Sequence, residues 1–283
     1  MIIINDIRIM QERSRAARLK GERIAFVPTM GFLHAGHLSL LQEGRRRGDL
    51  LVLSIFVNPT QFGAGEDFAS YPRDLAADAE LARRAGVDVL FAPEAPQMYP
   101  AGYATYVDVE GLTETLCGAS RPGHFRGVTT VVTKLFNIVA PDVALFGCKD
   151  FQQLAVIRCM SADLNLPVEI VGMPIVREPD GLALSSRNVY LSVGQRQQAL
   201  VLSRGIARAR ELARSGVESV GEILAVLRAL IEEQAEARID YLQICHQQTL
   251  QEQERLDADS VLLMAVFIGK TRLLDNALLF SRD

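Results

Sequence analysis

The chain has 283 residues, of which 49% are hydrophobic and 23% charged, and its formal net charge is −4. That length is more than one core needs, so two domains are expected; the acidic balance excludes the basic footprint of a nucleic-acid binder and leaves local groups to attract any anionic substrate. No apolar stretch reaches the roughly 18 residues that cross a bilayer, and the MIIIND start lacks the pattern of a signal peptide, so a cytoplasmic protein with no membrane partner is expected.

In chain order, residues 5–20 predict a basic amphipathic helix with Ile7, Met10, Ala17 and Leu19 on its apolar face. The run Ile24, Ala25, Phe26, Val27 predicts a buried strand. It feeds the stretch PTMGFLHAGH over 28–37, and a helical pattern over 37–48 leads out. Residues 50–57 are nearly all apolar, as in a strand covered on both faces, and Asn58-Pro59 ends them. A helix over 72–85, a strand over 88–91 and a short alternating strand near 105–109 follow. The loop 117–127 carries Arg121, His124 and Arg126, which suit either an anion-attracting surface or a solvated lid. A helix over 127–139, a strand over 142–146, the turn Gly147-Cys148-Lys149-Asp150, a helix over 150–162 and a strand over 168–172 complete the alternation.

The pattern then changes. Residues 192–214 and 219–237 predict two helices, and 240–245, 261–268 and 272–275 three short strands. The order predicts an α/β fold: a doubly wound, Rossmann-like parallel sheet over 1–176 and a second, smaller α+β domain over 177–283. Ligands of such sheets bind beyond the carboxyl ends of the strands, where the histidine turn, Asn58 and the 147–150 turn all lie. The cysteines at 117, 148, 159 and 245 form no C-x-x-C pair and read as reduced thiols.

The histidine turn is the most informative stretch. Gly31 and Gly36 permit close approach of backbone to a ligand or a positive φ. His34 and His37, three apart, share a face at the first turn of a helix whose N-terminus offers unpaired N–H groups and a positive dipole end. Such a place suits phosphate, and the imidazoles add two movable donors. A zinc site would need a third ligand, and no nearby Asp, Glu or Cys supplies one, so no metal site is expected.

Six stretches together carry a family likeness: PTMGFLHAGH (28–37), FVNPTQF (56–62), YPRD (71–74), RPGHFRGV (121–128), FGCKDFQQ (146–153) and REPDGLALSSRN (177–188). The chain resembles the pantoate–β-alanine ligase family. The resemblance implies a two-domain cytoplasmic enzyme, usually a homodimer. It would use ATP and Mg²⁺, with no tightly bound organic cofactor, to join pantoate to β-alanine and release AMP and diphosphate. The family more often has a small residue at Phe32, Glu at Ala35 and Met at Leu184.

On that reading negative charge builds on the α-phosphoryl oxygens and on departing diphosphate, so catalysis is positioning and electrostatics. His34, His37 and Lys149 are the expected catalytic residues, His37 being by resemblance the proton donor. The nucleotide set implied is Met30, Gly31, Phe32, Leu33, His34, Ala35, Gly36, His37, Gly147, Cys148, Lys149, Asp150, Val176, Leu184, Ser185, Ser186 and Arg187. Asp150 suits either the ribose hydroxyls or a helix cap. Ser185, Ser186 and Arg187 resemble a mobile phosphate-gripping signature, with a lid hinged near 175–188. Gln61 and Gln153 bind pantoate by resemblance, and Asn58 joins them as a neutral amide that would not blunt the carboxylate. A nucleotidylyltransferase of the same superfamily, or a silent nucleotide-binding module, are the rival readings; AMP release separates the first, and groups aimed at a transition state argue against the second.

Overall fold

The computed structural model describes residues 1–63, 65–66 and 68–280. The chain divides into two units, one built from Met1–Glu114, Arg121–Cys148 and Gln153–Pro174, the other from Thr115–Ser120, Lys149–Gln152 and the residues from Ile175 on.

The first unit holds a parallel sheet of β1 (Ile2–Ile4), β2 (Ile24–Thr29), β3 (Leu50–Ile55), β4 (Val89–Phe91), β5 (Val143–Gly147) and β6 (Glu169–Met173). Their order is β1-β4-β3-β2-β5-β6. The chain builds outward from β2 through β3 and β4, then returns to add β5 on the other side of β2. This is the doubly wound arrangement, with its switch of direction between β2 and β5. The central strands read as unbroken apolar runs because both faces are covered. On one face α2 (Ala35–Arg47) and α3 (Leu75–Arg84) bury Leu40, Leu41, Ala79 and Ala82 against Val27, Leu51, Leu53 and Leu145. On the other, α6 (His124–Val139) packs Phe136 edge-on against Phe26 and Phe146, and α1 (Ile7–Leu19) lies beside it. Helix α4 (Ala95–Met98) is a single turn.

The second unit has α5 (Leu116–Ser120), α8 (Val193–Ala199), α9 (Val201–Arg214), α10 (Val220–Glu232) and an antiparallel sheet of β7 (Ala237–His246), β8 (Ser260–Ile268) and β9 (Thr271–Leu278). Val220, Ile223, Leu227 and Ile231 of α10 and Ile206 and Ala209 of α9 pack with Leu242, Met264 and Val266 of the sheet. The helix α7 (Phe151–Asp163) begins in this unit and continues in the first from Gln153.

The structure departs from expectation in several places, among them α4 and α5, which were not expected, and α6, which begins at His124 inside the stretch read as a loop. No strand forms near 105–109. There Val107 is held by side chains of α6, its N–H donating to Thr130 Oγ1 (3.0 Å) and its carbonyl accepting from Thr129 Oγ1 (2.7 Å). The single helix expected over 192–214 is two, because Leu200 ends α8 and starts α9 with ψ −13°. Strand β1 was not anticipated from its three isoleucines; it pairs with β4, so it depends on a partner distant in sequence.

Candidate active site

In the first unit the turn after β2 is pinned from three sides. Gly31 has φ +83° and Phe32 φ +52°, both in the left-handed region. Asp78 of α3, 3% exposed, accepts from Phe32 N–H through Oδ2 (2.8 Å) and from Leu33 N–H through Oδ1 (2.7 Å). A Cβ on residue 31 would lie 2.8 Å from Asp78 Oδ2, so glycine is required by space as well as by φ. Thr29 Oγ1 accepts from Gly31 N–H (3.2 Å) and donates to the Ser54 carbonyl at the end of β3 (2.9 Å). Asp78 escaped the sequence reading. Its signal was a carboxylate on the same helical face as the small residues Ala79 and Ala82, both buried with it.

The two histidines cap α2. His34 is the N-cap, and its Nδ1 accepts from Gly36 N–H (3.1 Å) while His37 Nδ1 accepts from His34 N–H (3.3 Å). The rings lie 4.1 Å apart between centroids at 36°. A ring nitrogen that accepts carries no proton, so each neutral imidazole holds its hydrogen on Nε2. The imidazoles expected to be movable are thus turned by the helix cap, with Ala35 and Gly36 forming the first helical residues behind them.

Asn58 and Gln61 sit in and beside a one-turn 3-10 segment, Pro59–Gln61, that follows β3. Asn58 is 1% exposed and its amide is fully engaged. Nδ2 donates to the Gly127 carbonyl (3.0 Å) and Gln61 Oε1 (3.1 Å), and Oδ1 accepts from Tyr99 O–H (2.8 Å) and Thr60 O–H (2.9 Å). Gln61, bonded in this way to Asn58, has its Nε2 3.3 Å from Met30 Sδ. Burial pushes Tyr99 up to about 12, which keeps its hydroxyl a donor. Helix α6 comes so close here that a Cβ on Gly127 would lie 2.5 Å from the Thr60 carbonyl oxygen.

The 121–127 loop is tied down. Arg121 forks onto Glu66 (Nε to Oε1 2.7 Å, Nη2 to Oε2 2.5 Å), and His124 Nδ1 donates to the Gln61 carbonyl (2.8 Å). Burial works against ionisation of Glu66, but the Arg121 fork outweighs it and holds the carboxyl below its ordinary range. Arg126 lies over the Tyr106 ring. Gly147 ends β5, Cys148 follows it with its thiol pushed up by burial, and Gln153 is half-buried on α7.

In the second unit Lys149 and Asp150 lie in a 3-10 turn, Cys148–Asp150, with Lys149 Nζ 3.6 Å from Asp150 Oδ1. Asn276 Nδ2 donates to the Lys149 carbonyl (2.9 Å). Gln152, 4% exposed, accepts from Cys117 N–H (2.9 Å) and donates to the Thr115 carbonyl (2.8 Å). These bonds are why 115–120 and 149–152 belong to this unit. Val176 and Leu184 meet across a hairpin, Leu184 N–H donating to the Val176 carbonyl (2.9 Å). Ser185 caps the 3-10 segment Ser186–Tyr190 by accepting from Arg187 N–H (3.3 Å). The hairpin is braced by the Arg177 fork on Asp275 (2.7 and 2.8 Å) and by Arg196 on Glu178 and Asp180 (2.6 and 2.7 Å). Asn276 and Asp78 lie outside every motif quoted above, and Gln152 lies within FGCKDFQQ without having been singled out.

A family model described as pantoate-beta-alanine ligase matches residues 2–278. The pantothenate synthetase of Syntrophotalea carbinolica is 65% identical over 276 residues, covering 98% of each chain. That of Trichlorobacter lovleyi is 61% identical over 279 residues, 99% of each. The crystal structure of pantothenate synthetase from Thermus thermophilus superposes with a TM-score of 0.94 at 48% identity, over 99% of this chain and 100% of that one. Francisella tularensis pantoate-beta-alanine ligase, complexed with beta-gamma ATP and beta-alanine, gives 0.81 at 33% identity, over 100% and 99%.

Proposed function

Because the chain belongs to the pantoate–β-alanine ligase family, we propose that it joins pantoate to β-alanine, using ATP, by way of a pantoyl adenylate. A carboxylate and an amine do not condense unaided, since hydroxide is a poor leaving group. In the first half-reaction a pantoate carboxylate oxygen bonds to the α-phosphorus, and the bond from that phosphorus to the bridging oxygen breaks, releasing diphosphate. In the second the β-alanine amine attacks the acyl carbon, the bond to the AMP oxygen breaks, and the amine loses a proton.

The observation that carries the reading is the histidine cap at the N-terminus of α2. With both Nδ1 atoms accepting backbone N–H groups, the neutral rings of His34 and His37 each carry their hydrogen on Nε2. Donors set by a helix cap need no reorganisation as charge develops on phosphoryl oxygens. His37 is assigned the hydrogen-bond donor to the charge that develops on the phosphoryl oxygens, and His34 the second donor and cap. Lys149 supplies a point charge to the phosphates, and Ser185, Ser186 and Arg187 supply hydroxyls and a guanidinium fork. Met30, Gly31, Phe32, Leu33, Ala35, Gly36, Gly147, Cys148, Asp150, Val176 and Leu184 complete the nucleotide contacts. Gln61 and Gln153 read pantoate, with Asn58 orienting Gln61. Magnesium enters with ATP as part of the substrate, keeping several of its waters. The four free cysteines suit a cytoplasmic setting, and a homodimer completes the reading.

The test is incubation with ATP and pantoate alone, then with β-alanine added. Diphosphate and a bound pantoyl adenylate are expected in the first mixture, AMP and pantothenate in the second. Diphosphate that appears only when β-alanine is present overturns the sequential route, and a nucleotidyl product overturns the ligase reading.

A further inference from the structure

We propose that Asn276 is a positioning residue for Lys149, holding the phosphate-binding turn by its backbone. The inference rests on the assignment of Lys149 to the phosphates. It starts from the shape of that turn. Cys148–Asp150 is a single 3-10 turn, too short to fix its own geometry by repeated backbone bonds. Among the described residues, the side-chain partner of Lys149 is its neighbour Asp150, at 3.6 Å.

Asn276 reaches it from 127 positions away. The residue lies inside β9, paired in register with Leu263 of β8, and is 6% exposed. Its own N–H donates to Asp275 Oδ1 (2.8 Å), and Asp275 is gripped by the two-pronged Arg177. The amide that meets the Lys149 carbonyl is therefore mounted on a strand and backed by an ion pair whose carboxylate is buried. Three residues further on, Gln152 fastens the same segment to Thr115 and Cys117. The segment is held at both ends by backbone-directed amides, which leaves the Lys149 ammonium to act on a ligand. A displacement of about 1 Å at a group acting on the transition state costs up to about 10²-fold in rate, so loss of one such tether matters.

The experiment is a mutant cycle on diphosphate release from ATP and pantoate, using full-length Lys149→Ala, Asn276→Ala and the double variant. Asn276→Ala is expected to lower kcat of adenylation roughly 10- to 30-fold with KM for pantoate unchanged. In the Lys149→Ala background the same change is expected to have no further effect, since a residue acting only through Lys149 has nothing left to position. A full multiplicative loss in the double variant would overturn the proposal and make Asn276 a general structural residue. A normal rate in Asn276→Ala, with Lys149→Ala impaired, would overturn it too while leaving the proposed function intact. A normal rate in Lys149→Ala would remove the reading beneath it. If Asn276→Ala is not recovered folded, Asn276→Thr suits the strand, is too short to reach the carbonyl, and is read by the same criteria.

Discussion

The turn after β2 is fastened mostly from within. His34 and His37 are bonded to backbone two and three positions away, and Asp78 adds a clamp from outside. The turn that carries Lys149 is fastened from afar, by Asn276 and, through Gln152, by Thr115 and Cys117. Both offer positive character to phosphate in the proposed reaction, yet one is set by local capping and the other by the completion of a distant sheet. Local capping makes a site that forms with its helix; remote tethering makes one whose geometry reports on the rest of the molecule.

The sharpest way to probe that contrast is to remove the acting groups. His37→Ala and Lys149→Ala are each expected to lower kcat of adenylation by roughly 10²–10³, measured as diphosphate release, because each loses a donor used in the transition state. Gln61→Ala is expected to raise KM for pantoate instead. Next in size is the outside support of the histidine turn. Asp78→Ala leaves two backbone N–H groups without their carboxylate and is expected to destabilise by about 3 kcal/mol, read from the denaturation midpoint. A loss of only a few tenths would mean the turn is held without Asp78, and the first turn would be more self-sufficient still.

Smaller again is the cap. His34→Ala is expected to cost about 1 kcal/mol, and His34→Ser to restore most of that stability without restoring the rate. Recovery of both by serine would reduce His34 to a cap. The smallest effect belongs to the braced hairpin of the second unit. Arg196 holds the Glu178 carboxyl below its ordinary range. A lowered folded pKa stabilises above the unfolded value, about 4.3, and that stabilisation fades as pH falls through the folded one. The gap in Tm between the wild type and Glu178→Gln, worth under about 1 kcal/mol for so accessible a pair, should therefore be present at about pH 7 and shrink toward about pH 3. A gap that does not change with pH would mean the pair acts by packing alone.

The same contrast explains what could be read in the sequence. The alternation of apolar strands with helices revealed the doubly wound sheet, because each strand announces its own burial. His34 and His37 stood out because they lie three apart at the start of a helical pattern, although their bonds to the cap did not. Strand β1 and the non-strand around Val107 were not, since each is decided by a distant partner, β4 in one case and the hydroxyls of Thr129 and Thr130 in the other. Asn58 was legible as an amide at the end of a strand, whereas its bonds to Tyr99, Thr60, Gly127 and Gln61 were not, since three of the four partners are set by the fold or by a side-chain rotamer. Asn276 gave no signal at all, as an asparagine inside a strand has no local reason to be there.

The distance between Lys149 and Asn276 also has a meaning in time. Synthesis proceeds at roughly 5–20 residues per second, so the 127 positions between them separate their emergence from the ribosome by roughly 6–25 s. During that interval the six strands of the parallel sheet have all been made, while the donor for the lysine carbonyl does not yet exist. An unfinished chain thus has the residues of its histidine cap in hand, while the amide that meets the Lys149 carbonyl comes only with the last strand to be made.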